Sequence, residues 1–209
     1  MRAILPIFFR LLYHQFAFAY DLVAATVSVG QWKNWVSSIL PFIEGTRILE
    51  IGHGPGHLQR ILLSRGLDSV AIDESASMGS LAKRNTAGKA TLARALAQGL
   101  PFAYASFDTV IATFPAEYIN DPLTLAEVKR CLSDGGRFIV LPVALQMGRK
   151  PLDRLMSLLF RVTHQSPVDP LEEVKEKLSA PFVEAGFEVE VQELQVKSSL
   201  LLVIIASSP

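Results

Sequence analysis

The sequence predicts an α/β protein: a doubly wound sheet with a helical cap ahead of the first strand and an antiparallel intrusion near one edge. Three observations predict it. From residue 47 onward, short apolar runs alternate with segments of helical spacing. A glycine-rich stretch, "LEIGHGPGH" at residues 49–57, joins the first of these runs to the first of these helices. The last two apolar runs, "FEVEVQELQV" and "SLLLVIIAS", follow each other with no room for a crossover helix, so they must pair antiparallel.

The elements follow in chain order. "MRAILPIFFRLLYHQFAFAY" is an apolar helix in which Leu5, Phe8, Phe9, Leu12, Phe16 and Tyr20 recur near helical spacing, with Arg2 and Arg10 beside them. Arg10, His14 and Gln15 interrupt it, so no run reaches the ~18 residues a bilayer span needs, and the basic start followed by Ala17-Phe18-Ala19 only imitates a signal peptide. The expectation is a cytoplasmic protein. "RILEIG" (47–52) reads as strand and "HLQRILLSRG" (57–66) as helix with a glycine stop. "SVAIDE" is strand, "SASMGSLAKRN" helix, "ATLARAL" and "FDTVIATF" strands. "DPLTLAEVKRCLSDGG" reads as a helix with Asp121 as N-cap, Pro122 in the first turn and Gly135-Gly136 as terminator. "RFIVLPV" is strand again, and helices are expected near 151–163 and at 170–185. The whole is one domain: residues 1–44 a cap, 45–143 the central unit, 144–209 further helices and the closing hairpin.

Composition sets bounds on function. A chain of 209 residues holds one full core. Its 20 basic and 20 acidic residues cancel, so no bulk charge recruits nucleic acid, and no basic stretch interleaved with aromatics appears. The single cysteine, Cys131, excludes a disulfide framework and a thiolate metal cluster, and its helical setting reads as a small buried filler.

The glycine loop admits three readings. His53 and His57 stand four apart, a metal spacing on a helix, but Gly54, Pro55 and Gly56 between them break any helix and no third ligand is near. A phosphate loop needs Gly-Lys-Ser/Thr, and a dinucleotide fingerprint needs a different glycine spacing from 52, 54 and 56. Glu50 just ahead of the loop would also repel a phosphate. What remains is a turn that lets a ligand lie against the main chain, with Glu50 suited to a cationic end and Asp73, at the close of the second strand, suited to the hydroxyls of a ribose.

At these residues the chain resembles a family. "RILEIGHGPG", "VAIDESASM", "LARALAQGLPFAYASFDTVIATF" and "LAEVKRCLSDGGRFIVLP", over residues 45–143, are similar in order to the motifs of class I S-adenosylmethionine-dependent methyltransferases of the small-molecule branch. The resemblance implies a Rossmann-like seven-stranded sheet with its last strand antiparallel and S-adenosylmethionine as cofactor, with S-adenosylhomocysteine as product. It implies that Glu50, Gly52, His53, Gly54 and Gly56 lie under the methionine portion and ribose, that Asp73 holds the ribose hydroxyls with Glu74 beside it, and that Met78 lies on the adenine. Ala97 and Gln98 would line the adenine edge, and Thr113 would sit under the sulfonium. The chain departs from the pattern at Leu96, where relatives often place Asp, which leaves the adenine amino group to the backbone or Gln98. Plain alternatives stand beside these roles: Asp73 as a helix cap, Met78 as core, and both histidines as bystanders.

Methyl transfer from a sulfonium is a direct displacement that needs alignment and dryness, and for some acceptors a base. Candidates for that base are Glu117 and Tyr118 after the fourth strand, and His14 and His164. The stripe of residues 1–20 and the segment "GRKPLDRLMSLLFRVTHQ" (148–165), with Leu152, Leu155, Met156, Leu159, Phe160 and five basic residues, either pack on the domain or shape an apolar acceptor pocket that touches a membrane surface. The readings held open are a methyltransferase of a small lipophilic acceptor, a methyltransferase-like domain that binds without catalysis, and a peripheral membrane module. A nicotinamide oxidoreductase ranks last on the glycine spacing.

Overall fold

The computed structural model describes residues 31–146 and 170–209. The first-helix stripe, His14, His164, the segment 148–165 and the helix expected near 151–163 lie outside the described residues. Helix α1 spans Trp32–Ser37, and a short 3-10 turn follows at Leu40–Phe42. Then come β1 (Ile48–Ile51), α2 (His57–Ser64), β2 (Ser69–Asp73), α3 (Ala76–Asn85), β3 (Thr91–Arg94) and β4 (Phe107–Thr113). A second 3-10 turn (Glu117–Asn120) leads to α4 (Pro122–Cys131), β5 (Leu132–Gln146), α5 (Pro170–Glu184), β6 (Glu188–Val196) and β7 (Ser199–Ser207).

All seven strands form one sheet in the order β3-β2-β1-β4-β5-β7-β6. Strands β1 to β5 pair parallel, while β7 runs antiparallel between β5 and β6. The expected hairpin is present, its turn carried by Lys197 and Ser198. β7 is buried along nearly its whole length because it is flanked on both edges, which is why its apolar run is continuous; edge strand β6 alternates and shows Glu188, Glu190 and Glu193 to solvent.

Pleating sends alternate residues to two cores. Leu49, Ile51, Val110, Ala112, Phe138 and Val140 meet Leu125 and Val128 of α4 and Phe182 of α5 on one face. Ile48, Ile111, Ile139 and Leu141 meet Trp35 and Val36 of α1 and Leu58, Ile61 and Leu62 of α2 on the other. Cys131 is fully buried in the first core, and burial pushes its thiol up.

Two terminations are informative. Helix α2 stops as the sequence indicated: Gly66, at φ +69°, donates to Leu63 and Leu67 donates back to Leu62, a Schellman closure. Helix α4 begins as expected, the Asp121 carboxylate accepting from Leu123 N–H, but it does not run to Gly135-Gly136. It ends at Cys131 because Leu132 turns extended and pairs with Phe107 of β4; the glycines fall instead in an irregularity of the β4–β5 ladder.

Candidate functional site

The order of the strands fixes where a ligand can lie. From β1 the chain turns to β2 on one side through α2, and from β4 to β5 on the other through α4, so a crevice opens beyond the carboxyl ends of β1 and β4. The glycine loop forms one lip of this crevice and residues 114–118 the other. The two lips touch: Gly52 has φ +74°, and a Cβ placed on it would stand 2.3 Å from the Tyr118 hydroxyl oxygen. Only glycine permits that approach.

The loop is pinned to β2. Gly52 and His53 N–H both donate to Ile72 C=O, at 2.8 and 3.1 Å, and Gly56 N–H donates to His53 C=O at 2.9 Å. Gly54 N–H donates to Asp73 Oδ2 at 2.9 Å. Pro55 has no N–H, so every amide from 52 to 56 is committed within the protein. A phosphate cradle needs those amides aimed outward. That reading fails on geometry as it did on spacing. Gly54 faces open space, with nothing within 4 Å of a built Cβ. His53 is buried, and its Nδ1–H donates to Gly54 C=O at 2.7 Å. Among the described residues no group of His, Cys, Asp or Glu is assembled to hold a metal ion.

Two carboxylates stand under the loop. Asp73 is half-buried; its Oδ1 accepts from Ser75 N–H at 2.8 Å while Oδ2 takes Gly54, and each oxygen keeps a lone pair for a hydroxyl. Ser75, not Asp73, caps α3, its Oγ accepting from Met78 N–H. Glu50 is 1% exposed and accepts from Gln59 Nε2 of α2 at 2.8 Å, and Gln59 Oε1 in turn accepts from Ser69 Oγ. Burial pushes the Glu50 carboxyl up to about 7; the Gln59 hydrogen bond opposes this and the nearby Asp73 charge adds to it. Ionising an acid buried in this way is costly, and it lies beneath the glycine loop.

The remaining sequence candidates divide. Thr113 ends β4 at the crevice. Ala95 N–H donates to Asp73 C=O, which brings the strand leading to Ala97 and Gln98 alongside Asp73; Ala97 is buried, and Gln98 Nε2 donates to Asp121 at 3.1 Å. Met78 is fully buried, so its side chain shows no surface in this state. Glu74 is exposed, as is Leu96 at 56%. Of the two candidates beyond β4, Glu117 is exposed, whereas Tyr118 packs onto the first core and reaches the loop. Sequence reasoning passed over three residues that shape the crevice: Gln59, Trp32 and Phe114. Phe114 adopts φ +48°, and its N–H donates to Leu141 C=O at 2.7 Å. No sequence signal marks a phenylalanine for the left-handed region.

The "LPF" and "E…R" stretches meet through one side chain. Arg130 of α4 donates to the carbonyls of Leu100 and Phe102, at 3.0 and 2.8 Å, and forms a two-point pair with Glu127, whose Oε2 also accepts from Leu100 N–H. The Arg130 guanidinium holds the Glu127 carboxyl below its usual range. These residues hold the Ala97–Phe102 segment in place.

Residues 49–140 match the family model described as a methyltransferase domain. Among curated relatives, the demethylmenaquinone methyltransferase of Renibacterium salmoninarum is 34% identical over 131 residues, covering 58% of this chain and 52% of that protein. The demethylmenaquinone methyltransferase of Symbiobacterium thermophilum is 29% identical over 165 residues, covering 73% and 64%. The chain thus spans between about half and two thirds of the length of these relatives. Among solved structures, a putative S-adenosyl-L-methionine-dependent methyltransferase of Methanococcus maripaludis superposes with a TM-score of 0.59 at 18% identity, covering 90% of each chain, a likeness of fold.

Proposed function

We propose that the protein, whose residues 49–140 match the methyltransferase-domain model, is a class I, S-adenosylmethionine-dependent methyltransferase and that it transfers the methyl group of S-adenosylmethionine to a small, apolar acceptor by direct displacement. The observation that carries this reading is the donor set of the crevice. Its loop amides are all committed, its ionisable groups beneath the loop are two carboxylates, and its turn leaves open space above Gly54. Such a cradle suits a ligand with a cation and vicinal hydroxyls and no phosphate.

Glu50, Gly52, His53, Gly54 and Gly56 would hold the amino-acid end, Asp73 the ribose hydroxyls, and the segment of Ala97 and Gln98 the base, with Thr113 beneath the reacting end. Glu74, just beyond β2, and Met78 on α3 flank these positions. When bound, the cofactor supplies an electrophilic methyl on a positively charged sulfur. The protein's own contribution is alignment and exclusion of water. Asp73 already orders the loop through Gly54 and the start of α3 through Ser75, so one side chain would serve both the loop and the ribose. Glu50, when ionised, would offset the cofactor's positive charge. Tyr118, against Gly52, bounds the crevice on the α4 side and is the better placed of the candidates beyond β4 to orient an acceptor's proton; Glu117, in solvent, is not.

The relatives' printed names support a lipophilic ring as acceptor. No described helix is long and apolar enough to cross a membrane; contact of residues 1–20 and 148–165 with a membrane surface belongs to this proposal. Calorimetric titration with S-adenosylmethionine and S-adenosylhomocysteine tests the reading. Micromolar binding by the intact protein, weakened at least ~100-fold in Asp73→Ala, supports it. Absence of binding by folded wild-type protein refutes it.

A further inference from the structure

We propose that Phe114, Trp32 and His57 form a wall on the α1–α2 side of the crevice against which a planar, uncharged ring of the acceptor lies. The inference rests on the methyl-transfer reading and adds the residues that select the acceptor. Phe114 is the first residue beyond β4, one position past Thr113, so its ring stands where the crevice meets the second core. Its backbone lies in the left-handed region, which bulky L-residues avoid, and the Leu141 hydrogen bond holds it there. The ring is turned onto Trp32, with ring centroids 4.5 Å apart and planes at 33°, and toward Trp35 at 6.0 Å. Trp32 meets the imidazole of His57, the first residue of α2 beyond the glycine loop, edge-on at 6.4 Å.

The wall therefore links the loop after β1 to the loop after β4, opposite Tyr118. Its character sets the ligand class. It offers π-faces and carries one imidazole as its only titratable group, so a flat apolar ring gains stacking and burial there, and an anionic or strongly hydrated acceptor gains neither. Trp35 is sealed at 4% exposed, as a core residue is, but Phe114 beside the crevice is only half-buried.

Both tryptophans of the chain, Trp32 and Trp35, belong to this corner, so intrinsic indole fluorescence reports on it alone. The probe is 2,3-dimethyl-1,4-naphthoquinone, a planar quencher with no free ring position for thiol addition, titrated into the full chain with and without S-adenosylhomocysteine. The expected result is saturable quenching that persists in Trp35→Phe. It should weaken about ten-fold in Phe114→Ala, with calorimetric affinity for S-adenosylhomocysteine unchanged. Phe114→Leu, which keeps apolar volume and removes the ring, should also bind more weakly, and it decides the matter if the alanine variant does not fold. Wild-type affinity in Phe114→Leu, or quenching that rises without saturating, overturns the proposal. S-adenosylhomocysteine binding without quinone binding refutes this wall alone, whereas quinone binding without S-adenosylhomocysteine binding refutes the methyl-transfer reading and leaves the wall.

Discussion

Replacing Glu50 by glutamine should stabilise the fold above neutral pH and weaken its hold on a cationic ligand. The wild-type carboxyl is buried and pushed up to about 7, against 4.5 in an open chain. Below pH 4.5 it is neutral in both states and its burial carries no charge penalty. Between pH 4.5 and about 7 the unfolded chain ionises while the folded one holds its proton, so stability falls as pH rises, by about 3 kcal/mol in all at ~1.4 kcal/mol per pH unit. Above about 7 the folded group is ionised too and the loss is complete. Glutamine removes this loss and still accepts from Gln59 Nε2, but its own amide N–H groups lack the acceptor that a buried site must supply, at about 1 kcal/mol. The net at pH 8 is about 2 kcal/mol in favour of the variant, or roughly 4–8 °C in Tm for a chain of this size. At pH 4.5 the sign should reverse, with the variant about 1 kcal/mol the less stable. Urea unfolding of both proteins at pH 4.5, 6 and 8, followed by circular dichroism, measures the difference, and titrations common to both cancel in it. Two unfolding curves that keep a constant separation across that range would refute the claim that a desolvated carboxyl lies beneath the loop.

Other perturbations probe the lips of the crevice. Gly52→Ala combines a positive φ with a Cβ 2.3 Å from the Tyr118 hydroxyl, and should cost about 2–3 kcal/mol; Tyr118→Phe in that background removes the nearest atom, leaves Cζ at 3.5 Å, and should recover about 1 kcal/mol. Strict additivity of the two changes in denaturant unfolding would mean that the hydroxyl does not stand there. Arg130→Ala strips the Leu100 and Phe102 carbonyls of their donor and leaves Glu127 without its pair, at about 2–3 kcal/mol. The same variant should lower S-adenosylhomocysteine affinity several-fold in calorimetry, because the freed segment begins at Ala97; undiminished affinity in a folded variant would detach that segment from the cofactor.

How far the sequence reaches depends on the range of the interaction that decides each element. Hydrophobic period, capping residues and glycine stops are local, and they placed the strands, the closing hairpin, the Asp121 cap and the Gly66 stop. The end of α4 is decided by the pairing of Leu132 with Phe107 across the sheet, and there the local glycine signal misleads. The lip after β1 was legible because Glu50 and the glycines at 52, 54 and 56 lie within one short stretch and Asp73 closes the next strand. The burial of Glu50 against Gln59 was not, since nothing in "HLQRILL" distinguishes a glutamine facing inward from one in solvent. Arg130 shows the converse. Its stretch was legible as a pattern, but its role is to hold two carbonyls of a distant segment, which only the packed chain discloses.

The crevice divides along the same line, and this bears on what each half can specify. The β1 lip is set by backbone geometry: committed amides, a glycine against a tyrosine hydroxyl, two acids below. On the proposed methyl transfer such a surface would read a ligand's charge and hydroxyls, features that any acceptor's co-substrate shares, and a short local motif suffices to build it. The β4 lip is set by side chains from α1, α2 and the residue beyond Thr113, brought together only by the sheet. Changing Trp32 or Phe114 leaves every hydrogen bond of the glycine loop in place. On the proposed methyl transfer, acceptor choice is therefore free to change without disturbing the loop, and Phe114, whose ring is held out by a backbone that few residues adopt, is the position where a substitution should alter the acceptor first.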